Sequence, residues 1–120
     1  MSVAVELEAL LARIAEYPGA PYAITCGDDA MPHVVSVRAS ADGGAIAIDA
    51  GRTTRRNATA RPAVTLLWPA PEGRDYSLIV DGTAAVDDEA ERVTITPTTA
   101  VLHRVAGASA DLASCVRIIG

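Results

Sequence analysis

The chain has 120 residues, enough for one domain with one real core, and half of them are apolar, but with 24 alanines, one tryptophan, three tyrosines and no phenylalanine that core must be thin and aliphatic. The formal charge of −5 argues against general binding to DNA or RNA, and the absence of lysine (all ten basic residues are arginine) excludes Schiff-base, Walker-type and lysine-base chemistry. No apolar run approaches the roughly 20 residues that span a bilayer, and no basic-then-apolar leader opens the chain, so a cytoplasmic protein with no membrane partner is expected.

Residues 3–16 predict a helix. Leu7, Leu10, Leu11 and Ile14 recur at i, i+3, i+4 and i+7, Ser2 can cap the start, and Tyr17-Pro18-Gly19 stops it. Tyr22–Cys26 and His33–Ala39 follow as strands, split by the turn cluster Gly27-Asp28-Asp29. Within the second, Val35, Val37 and Ala39 share one face while Val34, Ser36 and Arg38 share the other. Asp42-Gly43-Gly44 signals a hairpin into Ala45–Asp49. Ala63–Trp68 and Tyr76–Val86 are two further strands, with Gly82 marking a bulge or bend. Val93–Val105 is interrupted by Pro97, which suits an edge or a strand passing between two sheets. Ala108–Ala113 reads as a helical turn and Cys115–Ile119 as a last short strand. Six or seven evenly spaced strands with a leading helix and a short inserted one predict a small, mainly β, antiparallel barrel, residues 1–120 forming a single domain.

Several candidates for chemistry read as ordinary structure. Cys26 and Cys115 have neither CxxC spacing nor companion ligands, so reduced buried thiols are expected, with a disulfide as the alternative, and no metal site. His33 and His103 lack a Ser or Cys partner at a telling spacing and read as packed or exposed side chains. Asp28-Asp29 and Asp87-Asp88 are turn residues.

One segment departs from the overall charge. Residues 50–71 contain no Asp or Glu but hold Arg52, Arg55, Arg56 and Arg61. The segment follows a strand directly, Thr53 or Thr54 is a natural N-cap, and Pro62 marks the helix exit. Free N–H groups, the helix dipole, hydroxyls and guanidinium forks can then converge on an anion, although neither Walker nor dinucleotide spacing is present; the competing reading is a solvated basic helix. Arg38 projects from the neighbouring strand and can stand beside that helix start.

The runs His33-Val-Val-Ser-Val-Arg38, Asp42-Gly-Gly-Ala-Ile-Ala-Ile-Asp49, Thr53-Thr-Arg-Arg-Asn57, Arg61-Pro-Ala-Val-Thr-Leu-Leu-Trp68 and Tyr76-Ser-Leu-Ile-Val-Asp-Gly82 resemble the pyridoxamine 5'-phosphate oxidase-like, FMN-binding split-barrel family, over roughly residues 5–105. The resemblance implies a six-stranded antiparallel split β-barrel of Greek-key type, with an N-terminal helix and a short inserted helix, that forms a homodimer with flavin sites at its interface. It places FMN against Arg38, Asp49, Arg52, Thr53, Thr54, Arg55 and Arg56, with Trp68 over the ring system or in the core or dimer contact. Asn57 and Pro62 match the family's Asn and Pro at the helix and at the next strand. Thr54 stands where the family carries lysine, and the C-terminal Trp and Arg that resemble substrate clamps in the true pyridoxamine phosphate oxidases are missing, so that activity is not expected.

The expected function is therefore a small flavin-dependent oxidoreductase in which the flavin carries the electron chemistry and no side chain is singled out as catalytic. A second expectation, implied by the resemblance because some relatives use it and in keeping with the all-arginine, alanine-rich composition, is a reductase using a 5-deazaflavin coenzyme. A third, from Thr54, is a non-catalytic dimeric module with a degenerate site. Residue types alone name no substrate or electron acceptor.

Overall fold

A computed structural model describes residues 3–104 and 115–119 of the chain. The elements run in the order α1 (Val3–Ile14), β1 (Tyr22–Cys26), β2 (Pro32–Ser36), β3 (Ala39–Asp42), β4 (Ala45–Asp49), α2 (Arg52–Ala60), β5 (Ala63–Trp68), β6 (Ser77–Asp87), β7 (Arg92–His103) and β8 (Cys115–Ile119). All strand pairs are antiparallel. The expected turn at Ala108–Ala113 lies outside the described residues.

The strand order is β2-β1-β5-β6-β7-β4-β3, with β8 added on β7. The two ends of this path, β2 and β3, are consecutive in sequence. The single expected strand His33–Ala39 is thus two, and the count rises from six or seven to eight, because the chain changes partner at Val37-Arg38. Val37 N–H donates to Pro21 C=O (3.0 Å), extending the β1 ladder, while Arg38 C=O accepts from Asp49 N–H (3.1 Å), extending the β4 ladder. The sheet therefore curls until its two edges meet at one covalent strand, which is an antiparallel barrel split at that junction rather than closed by a continuous ladder.

Period-two alternation sorts the side chains. Val35, Val37 and Ala39 turn inward and Val34, Ser36 and Arg38 outward. The interior is filled by Ile46, Ile48, Leu66, Leu78, Val80, Val93 and Ile95, with Trp68 as its large aromatic side chain. Small residues complete the packing, with Ala23, Ala47, Ala50, Ala58 and Ala100 all buried. α1 packs beside β8, burying Leu10, and its last turn tightens through Glu16 N–H to Arg13 C=O and Tyr17 N–H to Ile14 C=O, so the regular helix stops two residues short of the expected end. α2 stops where Pro62 forces the preceding residue out of the helix, and Arg61 takes φ −136° and ψ 93°.

Gly82 and Pro97 face each other at one irregularity. The β6–β7 register shifts between Asp81 and Gly82, with Gly82 opposite Pro97. There β7 changes its second neighbour from β4, paired through Ile95, to β8, paired from Ala100. A Cβ on Gly82 would lie 2.6 Å from both Ile95 Cγ2 and the Thr96 carbonyl oxygen, so only glycine fits. Gly82→Ala is expected to cost about 1–3 kcal/mol of stability through overpacking against this backbone, read as a lowered denaturation midpoint with an unchanged slope in urea.

Candidate functional site

The site begins at the corner between β4 and α2. Ala50 is buried, its N–H donates to Glu91 C=O (3.0 Å), and the chain turns into the helix at once. The N-cap is Gly51, in extended conformation, not Thr53 or Thr54 as expected; both threonines lie inside the first turn, and no side chain caps the helix. The first-turn N–H groups thus lack a side-chain acceptor, and the first turn itself holds no acidic residue to offset the positive end of the helix dipole.

A cleft of about 320 Å³ lies in front of this helix start, lined by His33, Val35, Ser36 and Val37 from β2 and its extension, and by Asp49, Gly51, Arg52, Thr53 and Thr54. Arg52 and Thr53 are exposed into it and Thr54 is buried at its floor. A second cleft, of about 440 Å³, shares His33 and Thr53 and leads on to Arg56, Met31 and the turn Asp28-Asp29. His33 stands between the two, and its Nδ1 is buried without a hydrogen-bond partner. Reading His33 as ordinary packing overlooked this. The available signal was the alternation that places His33 on one face with Val35 and Val37, toward the helix start.

Asn57 and Thr25 fix this geometry. Both are buried, and Asn57 Nδ2 donates to Thr25 Oγ1 (3.1 Å), tying α2 to β1 directly behind His33, which pairs with Thr25 in the β1–β2 register. The arginines divide by role. Arg55 Nε donates to Asp88 Oδ1 (3.1 Å) and its Nη1 to Ala50 C=O (2.6 Å), so this side chain seals the strand–helix corner. Arg61 Nη2 holds Asp28 Oδ1 (3.0 Å) and its Nη1 reaches Cys26 C=O (3.5 Å), bracing the β1–β2 turn.

Arg38 and Trp68 belong elsewhere. The Arg38 carbonyl pairs with Asp49 N–H, but the side chain does not stand beside the helix start as expected; it lines a different cleft of about 470 Å³, together with Trp68, α1 and the start of β3. That cleft and the one at the helix start have no lining residue in common. Of the eight expected cofactor residues the fold therefore gathers Asp49, Arg52, Thr53 and Thr54, sets Arg56 in the adjoining cleft, commits Arg55 to Asp88, and places Arg38 and Trp68 apart. Tyr17, at the edge of the larger cleft, donates its hydroxyl to Tyr76 C=O (2.9 Å), and burial pushes its phenol above the ordinary value, against the opposing fields of Arg13 and Arg74.

Among the described residues no group of three His, Cys, Asp or Glu could hold a metal ion, and no helix is long and apolar enough to cross a membrane. Cys26 is a free, half-buried thiol facing Gly27 C=O; the Cys115 side chain lies outside the described set.

No family model matches the chain. It is 37% identical over 125 aligned positions to uncharacterized proteins of Mycobacterium bovis and Mycobacterium tuberculosis, an alignment covering 92% of this chain and 87% of each relative. Its fold is similar to that of an F420 reductase (TM-score 0.59, 22% identity, 71% of this chain and 90% of that one). It is also similar to a Clostridium acetobutylicum protein described as belonging to the pyridoxinephosphate oxidase family (TM-score 0.61, 11% identity, 87% and 91%). A FAD-binding protein of Mesorhizobium loti shares the fold as well (TM-score 0.55, 17% identity, 77% and 91%). The Asn57→Ala variant, which leaves the buried Thr25 hydroxyl without its donor, should lose about 1–3 kcal/mol of stability by chemical denaturation.

Proposed function

We propose that the chain, which is of one family with the two uncharacterized mycobacterial proteins and shares the split-barrel fold, is a small flavin-binding oxidoreductase of the pyridoxamine 5'-phosphate oxidase-like kind whose coenzyme phosphate sits at the start of α2. The observation that carries this reading is the uncapped helix start. Gly51 to Thr54 present backbone N–H groups and the Thr53 hydroxyl to one cleft, with Arg52 beside them, and the unsatisfied Nδ1 of His33 marks its wall. This donor set suits a phosphate monoester. Asp49, on the same wall, is an acceptor suited to a polyol hydroxyl, and Arg56 extends the positive field into the adjoining cleft. The lysine position held by Thr54 is then compensated by Arg52 and Arg56, because Arg55 is committed to the corner.

When bound, the flavin supplies two-electron transfer. The protein holds the phosphate, orients the polyol and keeps water from the ring. FMN is the first reading for the coenzyme. A 5-deazaflavin coenzyme is the second, supported by the similarity to an F420 reductase.

The same reading takes two copies of the chain. The outer faces of β2, β1, β5, β6 and β7 align Val34, Tyr22, Ile24, Leu67, Ile79 and Val101 in a broad apolar field, with Val34 55% and Tyr22 42% exposed. A field of this kind on a small protein is suited to burial against its own copy.

FMN titration followed by quenching of flavin fluorescence tests the site. Arg52→Ala or Thr53→Ala should each weaken binding by about 10- to 100-fold, the size of a lost hydrogen bond to a charged group, whereas no binding of FMN or of a 5-deazaflavin at high micromolar concentration refutes the proposal. Competition between the two coenzymes separates the two readings. Sedimentation should give a dimer that Val34→Asp converts to a monomer; a wild-type protein that stays monomeric at high micromolar concentration removes the two-copy reading.

A further inference from the structure

We propose that the cleft between α1 and the β3–β4 hairpin is a second binding site, for a small apolar anion, with the Arg38 guanidinium as its charge partner. The proposal stands apart from the flavin reading, since the two clefts share no lining residue.

At about 470 Å³ the cleft falls within the usual range of roughly 300–1,000 Å³ for small-molecule sites. Leu11 and Ile14 of α1 form one wall, Pro21 another, and Ile46 and Trp68, core residues of the barrel, form its inner end. The chamber thus opens at the split in the barrel, where the chain leaves β2 for β3. An apolar body placed there removes apolar surface on both sides from water.

The charge pattern selects the ligand. No Asp or Glu lines the cleft, and Arg38 is its one ionised side chain. Tyr17 adds no negative charge, because its hydroxyl is given to Tyr76 C=O and burial favours its neutral form. Arg13, Arg55 and Arg61 each carry a carboxylate partner, Glu16, Asp88 and Asp28 respectively. Arg38 has no such partner among the described residues. Its backbone is held at the strand switch, by the bond from Val37 N–H to Pro21 C=O before it and by its own carbonyl to Asp49 N–H, so the guanidinium is carried on a fixed base. A neutral apolar guest would gain burial only. A carboxylate or sulfonate on an apolar body gains burial and a forked charge-assisted pair with the guanidinium.

The fold supplies its own reporter, since Trp68 is the only tryptophan in the chain and lines this cleft. Decanoate, decanol and decylammonium, each below its micellar concentration, are titrated into the wild-type protein and followed by Trp68 emission. Decanoate should bind saturably, with decanol weaker by about 10-fold or more, as the loss of a hydrogen bond to a charged group implies, and decylammonium should not bind. Arg38→Gln, a change at an exposed side chain checked for fold by its circular dichroism and melting temperature, should bring decanoate down to the affinity of decanol. Saturating FMN should leave the decanoate affinity within about two-fold, since additive behaviour is expected of separate sites. Equal binding of decanoate and decanol, an Arg38→Gln variant with unchanged preference, absence of any Trp68 response, or displacement of decanoate by FMN would each overturn the proposal.

Discussion

The switch of partners at Val37-Arg38 is the constraint from which the rest of the molecule follows. One strand serves both ends of the sheet, pairing with β1 before the switch and with β4 after it. A sheet whose two edges are two halves of one strand must curl, and its strands must turn a common face inward. That requirement sets the aliphatic interior, places α2 next to the β2 face that carries His33, and opens the cleft beside Arg38. It also explains why a core with one tryptophan suffices: a narrow barrel leaves little interior volume, and valine, isoleucine, leucine and alanine fill it in well-defined rotamers.

Much of this was legible in the residues because the signals were local. Alternation in His33–Ala39 separated inward from outward side chains, Gly82 and Pro97 marked the irregularity between β6 and β7, and Pro62 marked the end of α2. What escaped depended on contacts between distant segments. The partner switch divides one apparent strand into two, and nothing in the sequence of Val37-Arg38 announces it. The helix cap moved from threonine to Gly51 because Ala50 is pulled inward by Glu91, some 40 residues away along the chain. The roles of the arginines were equally non-local, for their spacing identified a cationic helix start but not that Arg55 would be consumed by Asp88. His33 was passed over because alternation with Val35 and Val37 gave only its face, while the burial of its Nδ1 depends on distant segments such as the Asn57–Thr25 pair beside it.

The arginines divide by whether they have partners within the fold. Arg55 and Arg61 spend their donors on carbonyl groups and carboxylates that fix a corner and a turn. Arg52 and Arg38 lie in clefts instead. A chain that relies on arginine alone gains forked donors wherever geometry matters, and gives up the long, pliant point charge that lysine offers to a phosphate.

The corner at Ala50 also links two parts of the protein that are remote in sequence. The turn between β6 and β7 contributes Glu91 C=O to Ala50 N–H and the Asp88 carboxylate to Arg55, so it braces the helix start from outside. Its length is therefore not free to drift, as surface turns usually are. An insertion there would lengthen no strand and disturb no core residue, yet it would carry the brace away, release Arg55 toward the cleft and unfasten the first turn of α2. In this family, variation in that hairpin offers evolution a way to reshape the start of α2 without touching any residue that lines the cleft in front of it.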